Sequence, residues 1–433
     1  MKTEAKKIVI VGGGFAGLAA AKELKKSNAE VYLIDKANHH LFQPLLYQVA
    51  TAALSPGEIA TPIRTILGKK STTKVVLAEV TEIDLENKKI EFFKEKSLNY
   101  DQLILAPGAR YNYFGNDQWA QYSSSLKSIG DALNMREKIL LSLEEAEQEA
   151  DSEERKKLLR YVVIGGGPTG VEIAGAIAEI AKSSMRKNYR NIDEKEVQVL
   201  LLEGGPAILG GFPAELRSSG KQMLEELGVK VLCHTPVTKI EKRKVHLRVG
   251  SIEAGNIIWA AGIKASPLMD QLKVEKDRMR RVIVNPDLSV PGHRDVFVIG
   301  DSAHLSFGEE SPLPALASVA MQQGKFVGKL LMQKYEKFES RPHFEYKDKG
   351  KMATIGRARA VAEIKGLKFS GFPAWLAWSA AHIFLLIGFR NKILVSMEWI
   401  WNYFTRKRGV QLITDRSECE LCYTKETDSR LSA

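Results

Sequence analysis

Lys7-Ile8-Val9-Ile10-Val11-Gly12-Gly13-Gly14-Phe15-Ala16-Gly17 is the stretch that decides the fold. A short apolar run of this kind, rich in β-branched residues, reads as a buried strand. A glycine turn ends it, and Leu18–Lys26 reads as the helix that follows. Within the turn the glycines stand as Gly12-x-Gly14-x-x-Gly17. At this spacing the first glycine permits the tight turn. The second lets the backbone approach a pyrophosphate, and the third lets helix pack on strand. The helix N-terminus adds free N–H groups and the positive end of its dipole. A second strand, Val31–Leu33, follows, and Asp35 comes just after it, 23 residues beyond Gly12. A carboxylate placed there can accept from both ribose hydroxyls of a dinucleotide.

The unit recurs 153 residues later. Tyr161-Val162-Val163-Ile164 leads into Gly165-x-Gly167-x-x-Gly170, a helix over Val171–Ala181, a strand over Val197–Leu202, and Glu203. The interval from Gly165 to Glu203 is 38 residues, against a usual value of about 20. The polar residues 185–195 read as a loop that accounts for the excess. Two dinucleotide sites in one chain point to hydride passing between two bound cofactors. Three further apolar runs end in small residues: Leu103-Ile104-Leu105 before Ala106-Pro107-Gly108, Ile257-Ile258-Trp259 before Ala260-Ala261-Gly262, and Val296–Ile299 before Gly300-Asp301. Ligands of α/β sheets lie at such strand ends. Residues 131–158 read as one charged helix leading into the second unit.

A chain of 433 residues exceeds what a single core of about 250–300 residues can organise, so two or three domains are expected. Hydrophobic residues at 44% and charged residues at 27% exclude wholesale disorder and a polytopic membrane protein. The three cysteines, Cys233, Cys419 and Cys422, exclude a disulfide-stapled scaffold and fit a reducing compartment. Cys419 and Cys422 form a CxxC with no second pair and no nearby His, so no metal is expected. Lys2, Lys6 and Lys7 precede an apolar run that glycine cuts short, which argues against a signal peptide and for a cytosolic start. No segment reaches the roughly 18–20 apolar residues that span a bilayer.

The net charge of +11 is regional: thirteen Lys/Arg against four Asp/Glu lie between Arg341 and Arg408. Four of the six tryptophans, Trp375, Trp378, Trp399 and Trp401, share that region. It reads as two apolar stretches, Trp375–Ile387 and Ile393–Phe404, with a basic break at Arg390 and Lys392 and a basic cap at Arg406-Lys407-Arg408. Aromatics with basic flanks suit the headgroup layer of an anionic membrane rather than nucleic acid. The same aromatics also suit the interface of a homodimer.

The ordered set of motifs resembles the flavoproteins with two dinucleotide-binding domains, the glutathione-reductase-like group. The fold this implies is α/β: two Rossmann-like domains with a C-terminal amphipathic membrane-anchoring region. By that likeness the first fingerprint, with Asp35 and Asp301, holds FAD, and the second, with Glu203, holds NADH. No cysteine precedes Cys233, so the dithiol chemistry of some members, and that of sulfide:quinone oxidoreductase, has no residues here. One thiol-free branch is similar in more detail. His40-Leu41-Phe42-Gln43-Pro44-Leu45-Leu46-Tyr47-Gln48-Val49-Ala50, Pro168-Thr169-Gly170-Val171-Glu172, Trp375-Leu376-Ala377-Trp378, Gly388-Phe389-Arg390-Asn391-Lys392 and Tyr403-Phe404 resemble segments of the type II NADH dehydrogenases. The likeness runs over about residues 7–414.

That resemblance implies FAD contacts at Gly12, Gly14, Phe15, Gly17, Asp35, Lys36, Gln43, Pro44, Ala106, Gly108, Asp301 and Gln322. It implies NADH contacts at Gly165, Gly167, Thr169, Gly170, Glu172, Glu203 and Gly262, and quinone contacts at Gln48, Ser318 and Gln322. Glu172 and Gln322 are the implied catalytic residues. Glu172 also has a plainer reading, as a charge stabilised by a helix N-terminus. The sequence departs from the family at Ser318, where a Gln is expected; Ser reaches less far toward a quinone head. The expected organisation is an FAD domain over 1–115 and 290–340, a connecting helix over 116–157, an NADH domain over 158–285, a membrane-associated region over 341–414 and a tail over 415–433. The expected activity is NADH:quinone oxidoreduction without proton pumping, at the cytoplasmic face of the cell membrane. The competing expectations are a soluble FAD-dependent reductase for an iron–sulfur protein and a flavin redox sensor without turnover.

Overall fold

The protein was analysed as a computed structural model, which describes residues 5–69, 71–92, 96–306, 311–333, 341–405 and 409–413, with backbone alone for 181–187. Cys419, Cys422 and Arg406-Lys407-Arg408 lie outside the described residues. The chain divides into two compact units. Residues 1–41, 60–110 and 263–349 form the first; residues 42–59, 111–262 and 350–433 form the second.

The first unit is built on a six-stranded sheet in the order Ser289–Val290, His293–Val298, Gln102–Leu105, Lys7–Val11, Glu30–Asp35, Lys74–Leu77. All neighbours are parallel except the Ser289–Val290 edge. The run Ile8–Val11 is buried throughout, as a strand covered on both faces must be. The helix Phe15–Leu24 packs along the helix Ala317–Met332. Their backbones approach so closely that a Cβ on Gly324 would lie 2.1 Å from the carbonyl oxygen of Ala16.

The second unit repeats the plan with four parallel strands in the order Val229–Leu232, Gln198–Leu202, Arg160–Ile164, Asn256–Trp259. Its fingerprint helix, Pro168–Asn188, is longer than the expected Val171–Ala181 and takes up the start of the presumed loop 185–195. The long interval to Glu203 therefore comes from extra helix, plus a one-turn Glu194–Glu196 helix capped by Asp193. Residues 131–158 are two helices, not one. Ile129–Gln148 ends where Glu149 turns extended, and Asp151 caps Ser152–Leu158 by accepting from the Glu153 N–H. An acceptor side chain at a chain break starts a new helix more cheaply than the old one continues.

The C-terminal part of this unit is a three-stranded antiparallel sheet, Lys351–Gly356, Arg359–Ile364 and Leu367–Gly371, followed by the helices Phe372–Leu385 and Phe389–Thr405. The break between these helices falls at Leu386–Gly388, not at Arg390 and Lys392. Gly388 adopts φ +92°, which ends a helix at little steric cost. Lys392 lies inside the second helix and its Nζ donates to the Phe384 carbonyl oxygen at 2.7 Å, satisfying the end of the first. No described helix is long and apolar enough to cross a membrane.

Candidate active site

The two fingerprint loops are built alike. Gly12 has φ +104° and Gly165 has φ +110°, backbone that side chains rarely adopt. A Cβ on Gly12 would also lie 2.2 Å from the Ala106 carbonyl oxygen, and one on Gly165 would lie 2.7 Å from the Ala261 nitrogen. Added carbons on Gly17 and Gly170 would meet the carbonyls of Gly12 and Gly165 at 1.8 and 1.9 Å. Gly14 and Gly167, by contrast, have open space where a side chain would be, which is the cradle a pyrophosphate needs.

Each acidic residue pins its own loop. Asp35 accepts from the Gly13 N–H at 2.5 Å and the Ala37 N–H at 2.6 Å. Glu203 accepts from the Gly166 N–H and the Gly205 N–H, both at 2.6 Å. A carboxylate offers about four lone-pair sites, so both retain capacity for ribose hydroxyls. The residues present thus fit two dinucleotides. Around the first loop, Gln323 accepts from the Gly300 N–H at 2.7 Å and fixes the turn that carries Asp301. Ser302 donates to the Gly108 carbonyl at 2.7 Å. Lys36 is exposed and lies 3.9 Å from Glu79. Gln43 and Pro44 belong to the second unit.

Sequence reasoning passed over Gln323 and His40. His40 is buried, meets the Phe15 ring edge-on at 4.9 Å and bonds the Gly13 carbonyl through Nδ1 at 3.2 Å. Burial pushes its pKa down to about 4, so the ring is neutral at physiological pH.

The second unit holds a cavity of about 350 Å³, assembled from widely separated pieces of chain. Tyr47, Gln48 and Thr51 come from the first; Glu172, Ala176 and Glu179 come from the fingerprint helix. Thr354 and Arg357 come from the antiparallel sheet, and Trp375, Trp378, Trp399, Asn402 and Tyr403 from the last two helices. Gly175 makes this possible: a Cβ there would lie 1.7 Å from the Ile355 carbonyl oxygen, so only glycine lets helix and strand meet. The carboxylates on either side of it each take a backbone N–H, one from that strand and one from the residue just after it. Glu172 accepts from Thr354, and Glu179 from Arg357 at 2.5 Å. Burial pushes Glu172 up to about 8, against the smaller opposing effect of its hydrogen bond. It therefore holds a proton at neutral pH.

Gln48 lines the cavity, with both ends of its amide engaged: Nε2 donates to the Tyr47 hydroxyl at 2.8 Å, and Oε1 accepts from Trp399 Nε1 at 2.7 Å. Ser318 and Gln322 lie on Ala317–Met332 in the first unit. Ser318 Oγ is 3.0 Å from the Tyr346 hydroxyl, and Gln322 exchanges two bonds with the Lys347 backbone at 3.0 and 3.1 Å. Three of the four C-terminal tryptophans turn inward. Trp375 stacks on Tyr403, and Trp378 packs against Trp399 at 5.3 Å. Only Trp401 is mainly exposed.

Two family models match the sequence: pyridine nucleotide-disulphide oxidoreductase over residues 6–324, and the NDH2 C-terminal domain over 349–408. A type II NADH:quinone oxidoreductase of Mycobacterium tuberculosis is 42% identical over 95% of this chain and 90% of its own length. The chain belongs to the type II NADH:quinone oxidoreductases. A member from Staphylococcus haemolyticus is 32% identical over 86% of this chain and 93% of its own. The solved fold of NDH2 from Plasmodium falciparum in complex with NADH superposes with TM-score 0.85 at 23% identity, covering 94% of this chain and all of that one. A ferredoxin reductase from Rhodopseudomonas palustris shares the fold less fully, at TM-score 0.66 over 83% of this chain. As a type II NADH:quinone oxidoreductase the chain is an FAD enzyme that uses NADH, does not pump protons and reduces quinone.

Proposed function

We propose that this enzyme works at the surface of a membrane and receives its quinone in the cavity of the second unit. The observation that carries this reading is the double character of the last two helices. Their inner faces line the cavity. On the outer side of the last helix Phe389, Ile393, Met397, Ile400, Trp401 and Phe404 repeat at helical spacing and are exposed, and Leu376 and Phe384 of the helix before it are exposed too. Large apolar side chains each gain roughly 1.5–3 kcal/mol on burial, and each Lys/Arg near anionic lipid adds about 1 kcal/mol. A lipid surface covers such a face and also delivers an apolar quinone to its inner side. The membrane-associated region is then 341–414, with the FAD domain as 1–115 and 290–340 and the NADH domain as 158–285. The site faces the cytoplasm, where NADH is supplied, and the enzyme is a homodimer.

FAD, when bound, takes hydride from NADH and returns two electrons to quinone. Gly12, Gly14, Gly17, Asp35 and Asp301 hold it in the first unit; Gly165, Gly167, Gly170 and Glu203 hold NADH in the second. Quinone gains two protons on becoming quinol; the hydride accounts for one, and the other comes from the medium. Glu172, protonated at neutral pH and lining the cavity, is placed to supply it. Gln322 contacts FAD and quinone from the first unit, its side chain held by paired bonds to the Lys347 backbone.

Stopped-flow spectroscopy of the purified holoenzyme tests the reading. NADH should bleach the flavin and a quinone analogue should restore it. Anionic liposomes should co-sediment the protein. A flavin that NADH bleaches but quinone never restores, or a protein indifferent to liposomes, would overturn it. Sedimentation in detergent checks the dimer separately.

A further inference from the structure

Among the described residues, four charged side chains line the cavity of the second unit, and three of them are accounted for. Burial favours the neutral form of Glu172, which accepts from the Thr354 N–H. Glu179 accepts from the Arg357 N–H at 2.5 Å. Arg359 pairs with Glu226 at 2.9 Å and donates to the Met223 carbonyl at 3.2 Å. Arg357 is different. Its Nη1 donates to the Tyr403 carbonyl at 2.7 Å, and its guanidinium carbon lies 5.5 Å from the centre of the Tyr403 ring. Tyr403 stands in the last turn of Phe389–Thr405, where carbonyls have no partner within the helix, so the plain role of Arg357 is to cap that end. Capping occupies one of the five N–H donors of a guanidinium. Among the described residues the others meet no acceptor, and no carboxylate pairs with the charge. Arg357 is half-buried and none of its unpaired donors is sealed off, so they are open to a ligand.

We propose that Arg357 binds the quinone head through a ring oxygen and stabilises the negative charge that gathers there during reduction. The proposal rests on the quinone reading above and adds a residue to it. The carbonyl oxygens of a quinone accept, and guanidinium N–H groups donate to them. Two electrons and one proton turn the quinone into the quinol monoanion; a second proton completes the quinol. Until that proton arrives, one ring oxygen carries a negative charge. A cation already fixed beside it stabilises that charge without having to reorganise. The Tyr403 carbonyl and ring hold the guanidinium in place, and it stays charged throughout. The same charge selects a class of ligand. A quinone whose ring carries an ionised hydroxyl makes a charge-assisted bond with Arg357 that a neutral analogue of similar size does not. The cavity has the volume of a small-ligand site, and Tyr47, Trp375 and Trp399 supply aromatic walls for a planar ring.

The test uses the flavin-loaded full chain with a short-chain benzoquinone as substrate. The probes are a hydroxynaphthoquinone, ionised at neutral pH, and its uncharged methoxy counterpart, each measured as a competitor of benzoquinone reduction. In the unmodified enzyme the ionised compound should compete at least about tenfold more strongly. Arg357→Gln keeps a donor for the Tyr403 carbonyl and loses the charge. It should retain flavin and bleaching by NADH, slow flavin reoxidation by the benzoquinone about a hundredfold, and erase the preference for the ionised compound. Arg357→Lys keeps the charge and should keep the preference. Equal competition by the two compounds in the unmodified enzyme would overturn the proposal, and that measurement needs no variant to fold. An Arg357→Gln enzyme that keeps either the rate or the preference would overturn it too. So would one whose affinities for both compounds fall together, as loss of the helix cap alone would produce. If the unmodified enzyme reduces the benzoquinone while any of these is seen, this inference falls and the quinone reading stands. If the unmodified enzyme does not reduce it, both fall.

Discussion

The two nucleotide-binding units are built alike at their loops and differ in what their helices touch. In both, the strand-end glycine has a positive φ, the third glycine packs on the carbonyl of the first, and the acid bonds the amide of the middle glycine. The first helix, Phe15–Leu24, carries no carboxylate before Glu23 and lies against another helix through Gly324. The second, Pro168–Asn188, carries Glu172 and Glu179 and lies against a strand of the C-terminal sheet through Gly175. The loop chemistry is thus general to dinucleotide binding. The difference lies where one fingerprint helix gains acidic residues and a close glycine contact with the C-terminal sheet.

The likeness of the loops is broken most sharply by Gly17→Ala set beside Gly170→Ala. Each introduces a carbon less than 2 Å from a carbonyl oxygen, and overpacking costs about 1–3 kcal/mol or more. Gly17→Ala should yield colourless protein without flavin. Gly170→Ala should stay yellow and lose reduction by NADH. Loss of flavin in both variants, read by visible absorbance, would show that the loops do not divide the cofactors.

Nucleotide choice sharpens the comparison next. On the proposed reading Glu203 meets the ribose of the second nucleotide, and Gly204, Gly205 and Pro206 offer no cation. A phosphate there would repel the carboxylate by about 4 kcal/mol at roughly 4 Å and an effective dielectric near 20. NADH should therefore be favoured over NADPH by some hundreds-fold in kcat/KM, a gap that Glu203→Ala narrows. Equal kcat/KM values for the two nucleotides in the unmodified enzyme would remove the role of Glu203.

The acidic residue that distinguishes the second helix has a pH signature. Below about pH 8 Glu172 is protonated in the folded protein, whereas in the unfolded chain it ionises near its ordinary value of 4.5. Folding therefore holds a proton that the unfolded chain releases, so this residue's contribution to stability falls as pH rises from about 4.5 to about 8. Flavin reoxidation by quinone should slow about tenfold per pH unit above pH 8 if this proton limits it. Glu172→Gln should retain flavin, flatten that profile and remove this part of the stability slope. A profile unchanged in Glu172→Gln would assign the proton elsewhere.

The smallest expected effect concerns the outer face of the helices. Trp401→Ser removes one exposed apolar anchor, worth roughly 1.5–3 kcal/mol if it is buried in lipid. Liposome affinity should drop by about tenfold or more, while NADH still bleaches the flavin. Undiminished liposome binding would move the membrane contact to another surface.

Much of this was legible in the primary structure. The strands and the glycine turns lie where the spacing puts them, because a strand–turn–helix unit is encoded by contiguous residues; Asp35 and Glu203 each bond the amide of their own loop. Element ends were less secure. The break in residues 131–158 and the extension of the second fingerprint helix depend on capping by Asp151 and on how far the tertiary contacts carry a helix. The aromatic C-terminus was read as a headgroup layer, yet Trp375, Trp378 and Trp399 face the cavity. Composition gives the helices but not their rotation about their axes.

The sequence by itself determined that two dinucleotides are bound, which acid serves each loop, and that a basic, aromatic region follows. These properties follow from local backbone geometry and from side-chain chemistry at fixed spacing. Only the tertiary structure decided that burial pushes the Glu172 pKa up and that Gln48 is bonded at both ends. Each of these depends on burial by segments far apart in the chain. The fingerprint helix meets the C-terminal sheet through one close approach, Gly175 against the Ile355 carbonyl, which no local pattern announces.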